Sequence, residues 1–179
     1  MVDDQSVETP EEGGRPVARA LPDHPVLLAL AEQFDEIEWI RSGDQDVFFV
    51  PKDHVRQVAQ AAKDAGFELL SDLTVADYFR KKEPRFELVI NLLSMQHKVR
   101  IRLRVPVPVD DAQVPSLVPV YAGANFYERE AFDMFGLTFD GHPDLSRILM
   151  PDEWEGHPLR KDFGLGSVPV QFKESHQVR

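Results

Sequence analysis

The spacing of apolar residues alternates between helical and strand periods over the first two-thirds of the chain, then loses both. Leu27, Leu30, Ala31, Phe34 and Ile37 recur at helical intervals. Asp23 stands ready to cap this helix, and Pro25 suits its first turn, where a missing N–H costs nothing. Residues 45–50 read as a short strand. Helical spacing returns over 51–65 through Val55, Val58, Ala59 and Ala62, with Gly66 as a stop. Residues 67–73 read as a strand leading into a loop.

The clearest local unit follows. Val99, Ile101, Leu103 and Val105 alternate with Lys98, Arg100, Arg102 and Arg104, so one strand face is apolar and the other basic. Phe86, Leu88, Ile90 and Leu92 supply a matching apolar face, and the short polar link 94–97 predicts an antiparallel hairpin. Pro106 and Pro108 are expected to end its second strand, because proline cannot donate to the ladder.

Asn125 opens a further helix that Gly136 closes after about three turns. Asn125 and Glu128 have the spacing of a capping box, with Asn in place of Ser or Thr. From Glu128 to Phe163 the chain is dense in charge and is broken by Gly136, Gly141, Pro143, Pro151, Gly156 and Pro158. Yet the same stretch carries Phe132, Phe135, Leu149, Trp154, Leu159 and other large hydrophobes. An irregular segment with so much apolar surface needs something to lie against, which favours a partner protein over a small substrate. The expected layout is an acidic tail over 1–20, a domain over 21–136, and a partner-binding arm over 137–179. The fold class is α+β: a mixed or antiparallel sheet covered by helices, with an extended irregular C-terminal arm.

Composition narrows the chemistry. The 179 residues contain no cysteine, which excludes disulfides, iron–sulfur ligation and thiol catalysis by this chain. No apolar run approaches the roughly 20 residues that span a bilayer, and the N-terminus lacks a secretory pattern. A cytoplasmic chain that meets a membrane only through other proteins is expected. The net charge of -11 argues against nucleic acid. Residues 1–50 hold 12 acidic against 3 basic side chains, so most of the excess lies at the front. The basic strand face lacks interleaved aromatics for base stacking, and Glu87 next door offers it an acidic partner.

Candidate chemistry is sparse. His142, Asp144, Asp152, His157 and Asp162 invite a metal reading, but both histidines sit between Gly and Pro, in turn positions, at no recognised ligand spacing. Glu128 and Glu130 point apart on their helix and are not a facing acid–base pair. Arg129 lies one turn from Asp133, so an i,i+4 ion pair is expected; the alternative is a carboxylate on another chain. Arg160, Lys161 and Asp162 adjoin Trp154, Leu159 and Phe163, the composition of an interface core with a polar rim. There is no G-x-G-x-x-G, no Walker lysine and no G-x-S-x-G elbow.

Taken together, ANFYEREAFDMFGLTFDGHPDLSRILMPDEWEGHPLRKDF, from Ala124 to Phe163, resembles the C-subunit family of proton-translocating NADH-quinone oxidoreductase, which belongs to the peripheral arm of respiratory complex I. The carrying motifs are E-R-E-x-x-D-x-F-G, G-H-P-D-L, R-I-L-M-P and G-H-P-L-R-K-D, in that order. FELLSDLTVAD from Phe67 to Asp77, the hairpin ending in LRV, and the Val114-Pro115-Ser116-Leu117 run look like the same family. Ser146 and Gly164 depart from its pattern, where a basic residue and a proline are usual.

The resemblance implies a non-catalytic scaffold with no cofactor or metal of its own and no catalytic residues. FMN and iron–sulfur clusters would sit in other subunits, and NADH and quinone would bind the complex elsewhere. The partners implied are chiefly the D and B subunits of the same complex, on the cytoplasmic side of the bacterial inner membrane. The partner interface expected on this basis runs through Glu128, Arg129, Glu130, Asp133, His142, Pro143, Asp144, Arg147, Trp154, Arg160, Lys161, Asp162 and Phe163. Two alternatives stay open: the same role in a complex fed by ferredoxin or another donor, and a free-standing metal-dependent hydrolase using His142, Asp144 and His157.

Overall fold

In the computed structural model, residues 24–34, 37–42 and 45–164 are described. The elements run α1 (Pro25–Glu32), β1 (Glu38–Ser42), β2 (Gln45–Phe49), a 3-10 turn (Lys52–His54), α2 (Val55–Asp64), β3 (Leu69–Asp77), β4 (Phe86–Ser94), β5 (Val99–Val107), β6 (Gln113–Pro115), α3 (Ala124–Phe135) and β7 (Thr138–Asp140). Five strands form one sheet in the order β1-β2-β5-β4-β3, and β6 and β7 form a separate parallel pair. Among the described residues of the large sheet only the β2–β5 pairing is parallel, so the sheet is mixed and the fold is α+β.

The period-two hairpin sets the core. Leu88 pairs with Val105, Ile90 with Leu103 and Leu92 with Ile101. All six side chains are fully buried. Each buried aliphatic side chain stabilises the fold by roughly 1.5–3 kcal/mol over leaving it exposed. Leu27 and Leu30 of α1 and Val55, Val58, Ala59 and Ala62 of α2 join the same cluster. α3 packs along β3, where the Tyr127 hydroxyl donates to the Ser71 carbonyl. On the opposite sheet face Arg104 is acid-paired, donating to Glu87 at 2.5 Å, and Arg102 donates to the neutral Asn91 amide oxygen at 3.0 Å. Burial pushes the Glu87 carboxyl up, but bonds from Arg104 and Lys82 outweigh it and hold it below its ordinary value.

Four expectations from local pattern need correction. The first helix ends at Glu32, and its cap is His24, whose Nδ1 accepts from the Val26 N–H; Asp23 lies outside the described residues. The helical spacing that continues to Ile37 conceals β1, which pairs Trp39 with Phe48. β3 is longer than 67–73 suggests and runs to Asp77. β5 passes through Pro106, which pairs with Glu87. The reason lies on the other flank. The Val50 N–H donates to the Arg104 carbonyl, so the next rung of that parallel ladder would need the N–H that Pro106 lacks. Proline ends the pairing with β2 and leaves the pairing with β4 intact.

Candidate partner interface

The helix α3 and the segment after it carry nearly every residue expected at an interface. Glu128 does not close a capping box. Gly123 occupies the N-cap without a side-chain bond. Instead Glu128 is fully buried and accepts from the Ser116 hydroxyl at 2.7 Å and the Leu117 N–H at 2.6 Å. Burial outweighs these donors and the nearby Arg56 charge, and pushes the carboxyl up to about 7. Arg56 itself reaches from α2 to the carbonyls of Ser116 and Asp140, so α2, α3 and the β6–β7 pair meet around this group.

Nor do Arg129 and Asp133 pair with each other. Arg129 donates to the carbonyls of Ser146 and Arg147. Asp133, fully buried, receives Arg147 at 2.5 Å on one oxygen and the N–H groups of Ile148, Leu149 and Met150 on the other, at 3.1, 2.8 and 2.8 Å. Burial pushes this carboxyl up, but the Met150 amide, the Arg147 guanidinium and the other two amides outweigh it, so it lies below the ordinary carboxylate range. Arg147 also donates to the carbonyls of Trp154 and Gly156. One acid–base pair thus ties down the irregular chain from Arg147 to Gly156.

The same segment finishes the helix. The last four carbonyls of any α-helix lack partners inside it. Here the Phe132 carbonyl takes the Gly136 N–H, and the Asp133 carbonyl takes His157 Nδ1. The Met134 carbonyl takes the Leu159 N–H, and the Phe135 carbonyl takes Arg160 Nε at 2.5 Å. His157 therefore carries its proton on Nδ1, and burial together with Arg160 and Arg147 lowers its pKa. The Arg160 cation also sits favourably at the negative end of the helix dipole. This close approach requires glycine at 136: its φ is 75°, and a Cβ would fall 2.5 Å from both Arg160 Nη2 and His157 Nε2.

Further on, Arg85 grips two carboxylates. It donates to both oxygens of Asp77 and to both of Asp162, at 2.6–2.9 Å. The Lys161 N–H completes the link by donating to Asp77. The Arg85 hydrogen bonds hold the Asp77 carboxyl at about 2 and keep Asp162 below its ordinary value. Trp154 and Phe163 stack 6.5 Å apart. Segment 141–164 is irregular, but it lies along α3 and bonds many of its polar groups to this chain; the buried Trp154 Nε1 is left without an acceptor among the described residues.

What faces outward is different. Glu130, Pro143, Asp144, Lys161 and Asp162 are exposed, whereas Arg129, His142, Arg147, Trp154, Arg160 and Phe163 are half-buried. His142 bonds the Asn125 carbonyl, and His157 lies at the far end of the same helix. Among the described residues no group of three or more His, Asp or Glu side chains could hold a metal ion. Seven large hydrophobes are exposed among the described residues. Leu69, Met95 and Val109 lie elsewhere, but Phe126 at 62%, Leu149 at 61%, Leu159 at 49% and Ile148 at 37% lie on α3 or the segment strapped to it, and Phe126 is not among the residues expected at an interface. The cause is local: once three successive N–H groups turn inward to Asp133, the Ile148 and Leu149 side chains are turned outward. Asp144, Asp152, Glu153 and Glu155 on the same segment are exposed as well.

Irregular chain is thus strapped over α3, with apolar side chains left facing out. The family model described as "Respiratory-chain NADH dehydrogenase, 30 Kd subunit" matches residues 48–168. The chain belongs to that family. It is similar to the C subunit of NADH-quinone oxidoreductase from Saccharopolyspora erythraea, at 46% identity over 70% of this chain and 52% of that protein. It is also similar to the C subunit of the same enzyme from Acidothermus cellulolyticus, at 40% identity over 88% and 91%. The chain spans about half the length of several of the curated relatives it matches. Among solved structures, the trypsin-resistant fragment 1–134 of Nqo5 superposes with a TM-score of 0.60 at 30% identity, covering 67% of this chain and 96% of the fragment. A chain of the membrane-bound sulfane sulfur reductase, an archaeal respiratory membrane complex, superposes with a TM-score of 0.69 at 25% identity, covering 86% and 96%. No helix among the described residues is long and apolar enough to cross a membrane.

Proposed function

We propose that this chain is a non-catalytic scaffold in the peripheral arm of a proton-translocating NADH-quinone oxidoreductase. It braces its neighbours, chiefly the D and B subunits, within a complex whose FMN and iron–sulfur clusters carry electrons from NADH to quinone. Electron transfer depends on fixed cofactor spacing, so a brace matters to turnover without touching a substrate. The single observation that carries this reading is the exposure of Phe126, Ile148, Leu149 and Leu159 on α3 and the segment strapped to it. Apolar side chains clustered on one face and rimmed by charge mark a protein interface. The relatives' names supply the complex, and its cytoplasmic, peripheral placement follows from that reading.

The test is a photo-crosslinking residue at position 149 in cells. The expected adduct joins this chain to another member of the oxidoreductase. Adducts only to unrelated proteins would refute the assignment.

A second reading has its own support. The likeness to a chain of a sulfane sulfur reductase favours a fold that serves respiratory complexes of more than one chemistry. The same brace in a complex fed by another donor is distinguished by whether FMN- and NADH-binding subunits co-purify.

A further inference from the structure

A cavity of about 610 Å³ opens where the start of α1, the β1–β2 hairpin and the β4–β5 hairpin meet, away from the α3 strap. Its wall brings Arg41, Lys98 and Arg100 together with one carboxylate, Asp46. Among the described lining residues this is an excess of two positive charges, on a chain of net charge -11. Arg41 stands 3.9 Å from the buried Asp46 carboxylate. Among the described residues, Lys98 and Arg100 have no side-chain hydrogen bond or ion pair. The contrast along their own strand is informative. Arg102 is bonded to Asn91 and Arg104 to Glu87, so the two cations without a described partner are those that line the cavity.

The left-handed φ of Lys98, 56°, belongs to the turn that closes the β4–β5 hairpin. In the same wall, among the described residues, the Gln45 side-chain nitrogen is buried without an acceptor, and the buried Asp46 Oδ1 accepts no hydrogen bond, with Arg41 as its ionic neighbour at 3.9 Å. A buried donor left unbonded is costly, and an incoming oxygen would relieve it. The helix α1 adds little, because its first amides are taken by His24. The site therefore rests on side chains.

We infer that this cavity binds a small phosphate-bearing molecule, with the phosphate held between Lys98 and Arg100. Lys98 closes the hairpin turn just before β5 and Arg100 lies two residues further on, so both line the same wall. A phosphomonoester carries close to two negative charges at neutral pH, matching the local excess. Leu27 and Val99 offer an apolar wall for the organic body, and the volume falls within the range of small-molecule sites.

The test uses the full 179-residue chain, isotope-labelled for NMR. Inorganic phosphate, glycerol 3-phosphate and vesicles containing phosphatidic acid are titrated separately at constant ionic strength, with chloride as control. Saturable shifts at Gln45, Lys98 and Arg100 with at least one probe are expected. The responding probe distinguishes a free ester from a lipid headgroup. Lys98→Ala with Arg100→Ala should weaken binding at least tenfold, Arg100→Gln alone should weaken it severalfold, and Arg102→Ala should leave it unchanged. No saturable shift with any probe would overturn the assignment, as would wild-type affinity in both Lys98 and Arg100 variants.

Discussion

Asp133 and Arg147, 14 residues apart, meet at 2.5 Å beneath the strap, and this contact decides the path of the chain from Ser146 to Gly156. Asp133 is fully buried, and the Arg147 side chain is 14% exposed. Asp133→Asn removes the charge while keeping the shape. Leaving Arg147 without its counter-ion in so sheltered a position should cost about 3 kcal/mol. Chemical denaturation of the variant checks this.

Asp162→Asn makes an instructive contrast. Asp162 also bonds an arginine, but its side chain is 42% exposed, and Arg85 keeps Asp77 as a second anchor. Solvent screening should hold the loss to about 1 kcal/mol or less. Equal losses in the two variants, measured in the same denaturation series, would contradict this ranking.

Gly136→Ala tests the seam between helix and strap. A left-handed backbone costs a non-glycine residue roughly 1–2 kcal/mol, and the new Cβ must also displace Arg160 and His157. The expected result is faster proteolytic cleavage within residues 157–163, with the β4–β5 core still resistant.

Glu128 gives a pH dependence of unusual sign for a carboxylate. Its folded pKa is raised to about 7 from an ordinary 4.5, so between these values the folded chain holds a proton that the unfolded chain has released. Stability from this group is therefore fullest below pH 4.5 and falls as pH rises towards 7, by about 3 kcal/mol in all. Asp77 acts oppositely: its contribution is present above about 4 and is lost as pH falls towards 2. Glu128→Gln should flatten the fall between pH 4.5 and 7 and leave the acid limb in place, as thermal melts across that range will show.

Much of this arrangement is legible from residue order, for identifiable reasons. The β4–β5 hairpin shows itself because alternation is local and Ile101, Leu103 and Val105 need only the neighbouring strand. Gly136 shows itself because a helix stop is also local. Glu128 and Asp133 do not, because their partners are settled by tertiary packing. A capping box and an i,i+4 pair are each sound local choices. They lose to Ser116 and Leu117 in one case and to Arg147 and three amides in the other. Pro106 misleads for a related reason, since its missing N–H matters only to the flank facing β2. The outward turn of Ile148 and Leu149 has no signature in hydrophobicity, because it follows from where Asp133 stands.

The most direct measurement replaces Phe126 and Leu149 with aspartate in an affinity-tagged chain and recovers it from its host. Both side chains are exposed, so the isolated variant should melt as the wild type does. The expected result is loss of the other oxidoreductase subunits from the purified material, with membrane NADH-quinone activity falling in proportion to assembled complex. Full recovery of those subunits at wild-type yield would contradict a docking role for this face.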